Sequence, residues 1–256
     1  YVFGSRVYGT SHEHSDYDVI AVVRDSCFKR HVTREVPDAV HTTGNENLRK
    51  TGFIQCMASK SLGSVQLDIT LYSQSYFLQK VNGYCIHELT LLWLPKPFCL
   101  QERFSLLEHW TDRDTATGTP VIILSKLRKT ISSQTNGVWK TSKKWFEDAV
   151  QLANADSNGG VNLDDSDNGH ERREQPRWAT DLLKAKKGFI HCLRMFQFAI
   201  QIAQRGTIEQ FDCANDYMSH PWIRDSSMRD FKQFHDHFRP IMIKLHHEFG
   251  AAAPKT

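Results

Sequence analysis

The sequence predicts an α+β protein, with a mixed sheet and flanking helices over residues 1–97 and an α-helical domain over residues 98–256. Three observations carry this expectation. Val19 to Val23 is an unbroken, mostly β-branched run, and Val65 to Leu71 alternates apolar with polar, so the early chain reads as strands. From Ser73 the apolar period changes to that of helices. Later, Phe189, Leu193, Phe196, Ile200 and Ala203 recur as one long helical stripe.

The first element is a short apolar strand at Tyr1-Val-Phe, which runs into a Gly4-Ser5 turn. Glycine lets a backbone approach a phosphate closely, turn amides donate to its oxygens, and the Ser5 hydroxyl adds a further donor. The next strand starts at Ser15-Asp-Tyr-Asp-Val. Side chains alternate along a strand, so Asp16 and Asp18 share a face, about 7 Å apart. Two carboxylates so placed repel each other unless a cation lies between them. Mg²⁺ suits the position, with Mn²⁺ as a substitute, because it binds carboxylates together with substrate phosphates. The plainer reading of the same residues is a polar hairpin.

Residues 24–63 show no clean period and are expected to be irregular or a hairpin, with a strand near Phe53 to Ala58. In the following strand, Gln66, Asp68 and Thr70 lie opposite Val65, Leu67, Ile69 and Leu71. Asp68 is thus expected beside the first two acids, although a solvated strand residue would look the same. Three converging carboxylates can hold two metal ions, one activating an attacking hydroxyl and one steadying a leaving pyrophosphate.

Tyr76 to Val81 suits one helix, stopped by Asn82-Gly83, and Ile86 to Leu94 a second, closed by Pro95-Lys-Pro97. Residues 98–149 read as helical with a break near Thr115 to Pro120. Residues 154–175 are poor in apolar side chains and rich in Gly, Asn and Asp, the composition of a disordered insertion. Trp178 to Arg205 is expected to be the longest helix, capped by Gly206. On it Lys187, His191 and Arg194 follow i, i+4, i+7 and lie opposite the apolar stripe. They form either a solvated face or a cationic ladder for phosphate. Trp222 to Phe249 reads as a final amphipathic helix, followed by a frayed tail.

Taken together, Gly4-Ser5, Asp16-x-Asp18 and Asp68 resemble the nucleotidyltransferase fold of the DNA polymerase beta superfamily. The string Gly-Ser-Arg-x-Tyr-Gly with Ser-Asp-Tyr-Asp-Val, and the Lys-x-x-x-His-x-x-Arg helix, resemble more narrowly its predicted nucleotidyltransferases associated with RNA repair. The resemblance implies that Gly4, Ser5 and Arg6, with Lys187, His191 and Arg194, bind a nucleoside triphosphate. It implies that Asp16, Asp18 and Asp68 bind Mg²⁺, with Asp68 placed to deprotonate the acceptor. An active cleft would lie between sheet and helices. The implied reaction moves a nucleoside monophosphate to an acceptor hydroxyl, here an RNA 3′ end such as that of tRNA. Two alternatives stand beside it: an inactive nucleotide- or RNA-binding module, and the same chemistry on a protein or small molecule. In this fold a helix usually precedes the first strand, which here begins at residue 1.

Six cysteines without Cys-x-x-Cys spacing read as reduced thiols, which points to an intracellular, cytoplasmic protein. Thirteen histidines are scattered without a matching cysteine or acid cluster, so a zinc site is not expected. No apolar run reaches the length of a membrane span. A net charge of +3 permits a nucleic-acid partner without requiring one, but basic residues gather at Lys126 to Lys144 and at Lys184 to Lys187.

Overall fold

The two strands predicted from Val19–Val23 and Val65–Leu71 pair with each other at the centre of the sheet. In the computed structural model, which describes residues 1–11, 15–28, 41–42, 53–62, 65–100, 107–119, 121–158 and 176–254, five strands form one mixed sheet. They are β1 (Val2–Phe3), β2 (Tyr17–Val23), β3 (His41–Thr42), β4 (Phe53–Leu62) and β5 (Val65–Ser73). The spatial order is β1-β2-β5-β4-β3, with β2 and β5 parallel and the other pairs antiparallel. The strand expected near Phe53 to Ala58 is β4, which extends to Leu62.

Helix α1 (Gln74–Asn82) follows β5 directly, because the Ser73 hydroxyl caps it by accepting from the Tyr76 amide at 3.4 Å. The helix expected over Ile86–Leu94 is shorter than predicted. It is α2 (Ile86–Leu89) followed by a 3₁₀ turn at Thr90–Trp93. The Thr90 hydroxyl takes the His87 carbonyl at 2.7 Å, and Pro95 prevents further continuation.

The break expected near Thr115 to Pro120 is present and begins earlier than expected, at residue 110. After a 3₁₀ turn at Leu107–His109, residues 110–119 and 121–123 form turns and extended chain. Asp114 accepts from the Ala116 and Thr117 amides, and Gly118 adopts φ +68, so local polar bonding wins over helix there. Helix α3 then runs from Leu124 to Asn158, and at 35 residues it exceeds the 29 of α4 (Arg177–Arg205), the helix expected to be longest. Residues 154–158 of the expected insertion are therefore helical, and the remainder up to residue 175 lies outside the described residues. Gly206 caps α4 in the left-handed region, φ +72, as its sequence position suggested.

Short helices α5 (Asn215–Met218) and α6 (Pro221–Arg224) precede α7 (Phe231–Ala252). The single helix expected over Trp222–Phe249 is broken. Asp225 accepts from the Ser227 amide and hydroxyl at 2.8 and 2.6 Å, and Asp230 restarts the helix as its N-cap.

One apolar cluster joins sheet and helices, from Phe3, Tyr8 and Ile20 through Phe77 and Leu89 to Phe189, Phe234 and Phe249. α4 occupies its middle. Gly188 permits its contact with α3, since a Cβ there would lie 2.1 Å from Ser142 Oγ. No helix among the described residues is long and apolar enough to cross a membrane.

Candidate active site

The Gly4-Ser5 turn is a 3₁₀ turn over Gly4–Arg6, with the Val7 and Tyr8 amides donating to the Gly4 carbonyl at 3.1 Å. Gly4 is required here on two counts. Its φ is +69, and a Cβ would lie 1.9 Å from Asp18 Oδ2. The turn is thus pressed against the first strand acid. Arg6 stays within the turn: its Nη2 donates to the Ser15 carbonyl at 2.7 Å, and its guanidinium lies 3.5 Å from the Tyr17 ring centre. It fastens the turn to the start of β2.

Asp18 and Asp68 are direct partners in the parallel pairing of β2 and β5, and Asp16 immediately precedes β2. Neighbouring strands lie about 4.8 Å apart, so the two carboxyls share one patch. Burial raises the pKa of Asp18, and Asp68 and then Asp16 raise it further. The Ser5 amide, hydrogen-bonded to it, opposes them. Asp68 Oδ1 is buried and has no hydrogen-bond partner among the described residues. No group of three histidine, cysteine or carboxylate side chains among those residues is close enough together to hold a metal ion as placed. The fit to a divalent cation is therefore one of charge and donor type: coupled carboxylates, one with a buried oxygen and no donor.

An open cleft of about 1440 Å³ runs beside this patch. Ser5, Asp16 and Asp18 border it from the sheet side, and Lys187, His191 and Arg194 border it from α4. Gly4 and Asp68 are not among its walls; Gly4 borders a smaller neighbouring pocket together with Asp18.

The three α4 residues sit in different environments. Lys187 is exposed, His191 is half-buried and Arg194 is 3% exposed. The expectation of one uniform polar face is corrected accordingly: the turn covers the end of the ladder. The Arg194 guanidinium lies 3.9 Å from the ring centre of Tyr8, while its Nε and one Nη have no partner among the described residues. Burial raises the pKa of Tyr8, Arg194 lowers it and Asp18 raises it, so the phenol is coupled to both walls.

His191 Nε2 lies 2.9 Å from His87 Nε2, with the rings stacked at 4.6 Å. Burial lowers the pKa of both imidazoles; Glu88 partly opposes this at His87, His87 lowers His191 further, and Arg194 lowers both, so the neutral form is favoured in the pair. Beside it, the Tyr72 hydroxyl donates to Glu88 Oε1 at 2.8 Å, and burial followed by the Glu88 charge raises the Tyr72 pKa. Lys186 is buried and donates to the Asp225 carbonyl at 2.6 Å; burial pushes its pKa down to about 8.

His87 and Tyr8 were not singled out as site residues by the sequence, and Lys186 was read only as part of a basic cluster. Tyr8 carried a signal, since it belongs to the Gly-Ser-Arg-x-Tyr-Gly string. His87 carried none, because only tertiary packing brings it to His191. Compared with family models, curated proteins and solved structures, the chain matches none of them.

Proposed function

We propose that this protein is a metal-dependent nucleotidyltransferase with a nucleotidyltransferase-like fold. In this reading the acceptor hydroxyl, on an RNA 3′ end, attacks the α-phosphate of a nucleoside triphosphate, takes the nucleoside monophosphate and releases pyrophosphate. The observation that carries the reading is the pairing of Asp18 with Asp68, with Asp18 pressed against the Gly4-Ser5 turn and facing Lys187, His191 and Arg194 across the cleft.

In this reading Asp16, Asp18 and Asp68 would hold Mg²⁺, which when bound supplies Lewis-acid activation of the acceptor oxygen and charge neutralisation at the phosphates. The Ser5 hydroxyl and the turn amides donate to phosphate oxygens. Lys187 and Arg194 contribute charge-assisted bonds to the same group. The neutral His87–His191 pair offers a donor without adding a charge. Asp68, with its unpartnered buried oxygen, is the candidate to accept the proton of the attacking hydroxyl.

Labelled nucleoside triphosphates, incubated with the protein, Mg²⁺ and single-stranded RNA, are expected to label the RNA 3′ end. Asp18→Ala removes the label while the fold is retained. Triphosphate binding without any incorporation would instead favour an inactive binding module. Incorporation into protein, or into a small molecule, would move the acceptor and keep the chemistry.

A further inference from the structure

The cleft is larger than the 300–1,000 Å³ typical of a site for one small ligand, at about 1440 Å³. It also continues beyond the residues discussed above. Trp178 precedes His191 by thirteen positions on α4, or about 20 Å at 1.5 Å per residue. It borders the cleft together with Trp145 of α3. Trp145 is 50% exposed, an unusual condition for the largest apolar side chain. Arg229 lies over the Trp178 ring, 4.2 Å from its centre, and is not itself a wall of the cleft. One face of the indole is thus held from outside. Lys187 and Arg224 also border the cleft, and Asp225, the acid beside Arg224, is engaged by Ser227.

Flat aromatic surfaces flanked by cations are the elements that bind unpaired nucleotides, the base stacking on the ring while the cations meet the phosphate. We propose that Trp145 and Trp178 form a nucleobase-stacking subsite at this end of the cleft. The identity of the ligand rests on the nucleotidyl-transfer reading. The base belongs either to the incoming triphosphate or to the acceptor strand.

Calorimetric titrations in Mg²⁺ separate these sources. Each of the four nucleoside triphosphates, a short single-stranded oligoribonucleotide, and tripolyphosphate, which has no base, are titrated into the parent, Trp145→Leu, Trp178→Leu and Trp178→Phe proteins. Loss of stacking is expected to weaken base-containing ligands roughly five- to hundredfold in the Leu variants. Tripolyphosphate binding stays at the parent value, and Trp178→Phe, which keeps a ring, recovers most of the loss. Weakening confined to triphosphates assigns the base to the incoming nucleotide; weakening confined to the oligonucleotide assigns it to the acceptor. If both Leu variants bind nucleotide and oligonucleotide like the parent, or lose tripolyphosphate equally, the stacking subsite is overturned and the transfer reading stands. A parent that binds none of the three ligands overturns both.

Discussion

Gly4 and Asp18 are in contact across the join between the first turn and the second strand. There is no room for a methyl group between them: a Cβ on Gly4 would lie 1.9 Å from the Asp18 carboxylate. The position of the turn and the position of the acid are therefore one variable. The Ser5 amide follows, because it bonds the same carboxylate.

Gly4→Ala is expected to lower the melting temperature and abolish transfer together. The backbone there has φ +69, which costs about 1–2 kcal/mol for a residue with a Cβ, before the clash with Asp18 is counted. Thermal melts and the RNA-labelling assay check this. A variant that melts and labels like the parent would show that the turn is free of the acid.

Asp18→Asn is expected to raise the melting temperature at pH 7. The folded-state pKa of Asp18 is raised, so its contribution to stability is fully present below its ordinary 3.8 and is lost as pH rises through the folded value. The parent has lost that contribution at neutral pH and Asn has not, so the gap should close on acidification below about pH 3.8. Mg²⁺ should raise the melting point of the parent and leave that of Asp18→Asn nearly unchanged. Equal Mg²⁺ responses would contradict a metal role for this carboxylate.

Lys187 and Arg194 should separate by stability. Lys187→Ala is expected to weaken triphosphate binding about tenfold with little change in melting, because the side chain is exposed. Arg194→Ala should weaken binding and also melt earlier, because it removes a buried guanidinium from Tyr8, a contact worth about 2 kcal/mol when desolvated. Arg194→Lys should restore less than charge alone would, since an ammonium lacks the planar stack. Full recovery by Lys would reduce the contact to its charge.

Lys186→Met tests the buried amine. Its folded pKa is depressed to about 8 from 10.5, so its stability contribution is present above 10.5 and is lost as pH falls through about 8. The parent should gain stability relative to Lys186→Met between those two values and show a constant deficit below them. Melts at pH 7, 9 and 10.5 read this directly, and a flat difference would mean that the amine stays solvated.

The sheet was legible where local pattern and tertiary need agree. The run Val19–Val23 and the alternation of Val65–Leu71 have no helical reading, and they became the paired β2 and β5. Gly206 ended α4 for the same kind of local reason. α3 was legible as helix up to residue 149 but not in its continuation to Asn158, where the Asn- and Asp-rich composition reads as an insertion; there the helix is held by packing, with Ala153 only 1% exposed. The ladder on α4 was legible in its spacing but not in its burial. A helical projection shows which residues share a face; it does not show that Tyr8 arrives from the other end of the sequence to cover Arg194. His87 lay beyond reach for that same reason.

The contact of Gly188 with Ser142 has a mechanical consequence. α3 carries Trp145 and α4 carries Lys187 and His191, and between them the Ser142 side chain lies so close to Gly188 that a Cβ there would sit 2.1 Å from its hydroxyl. Interiors packed this closely transmit strain, so a displacement of α4 at Gly188 is felt by Ser142 on α3. On its other side α4 is held by Tyr8 on Arg194 and by His87 on His191.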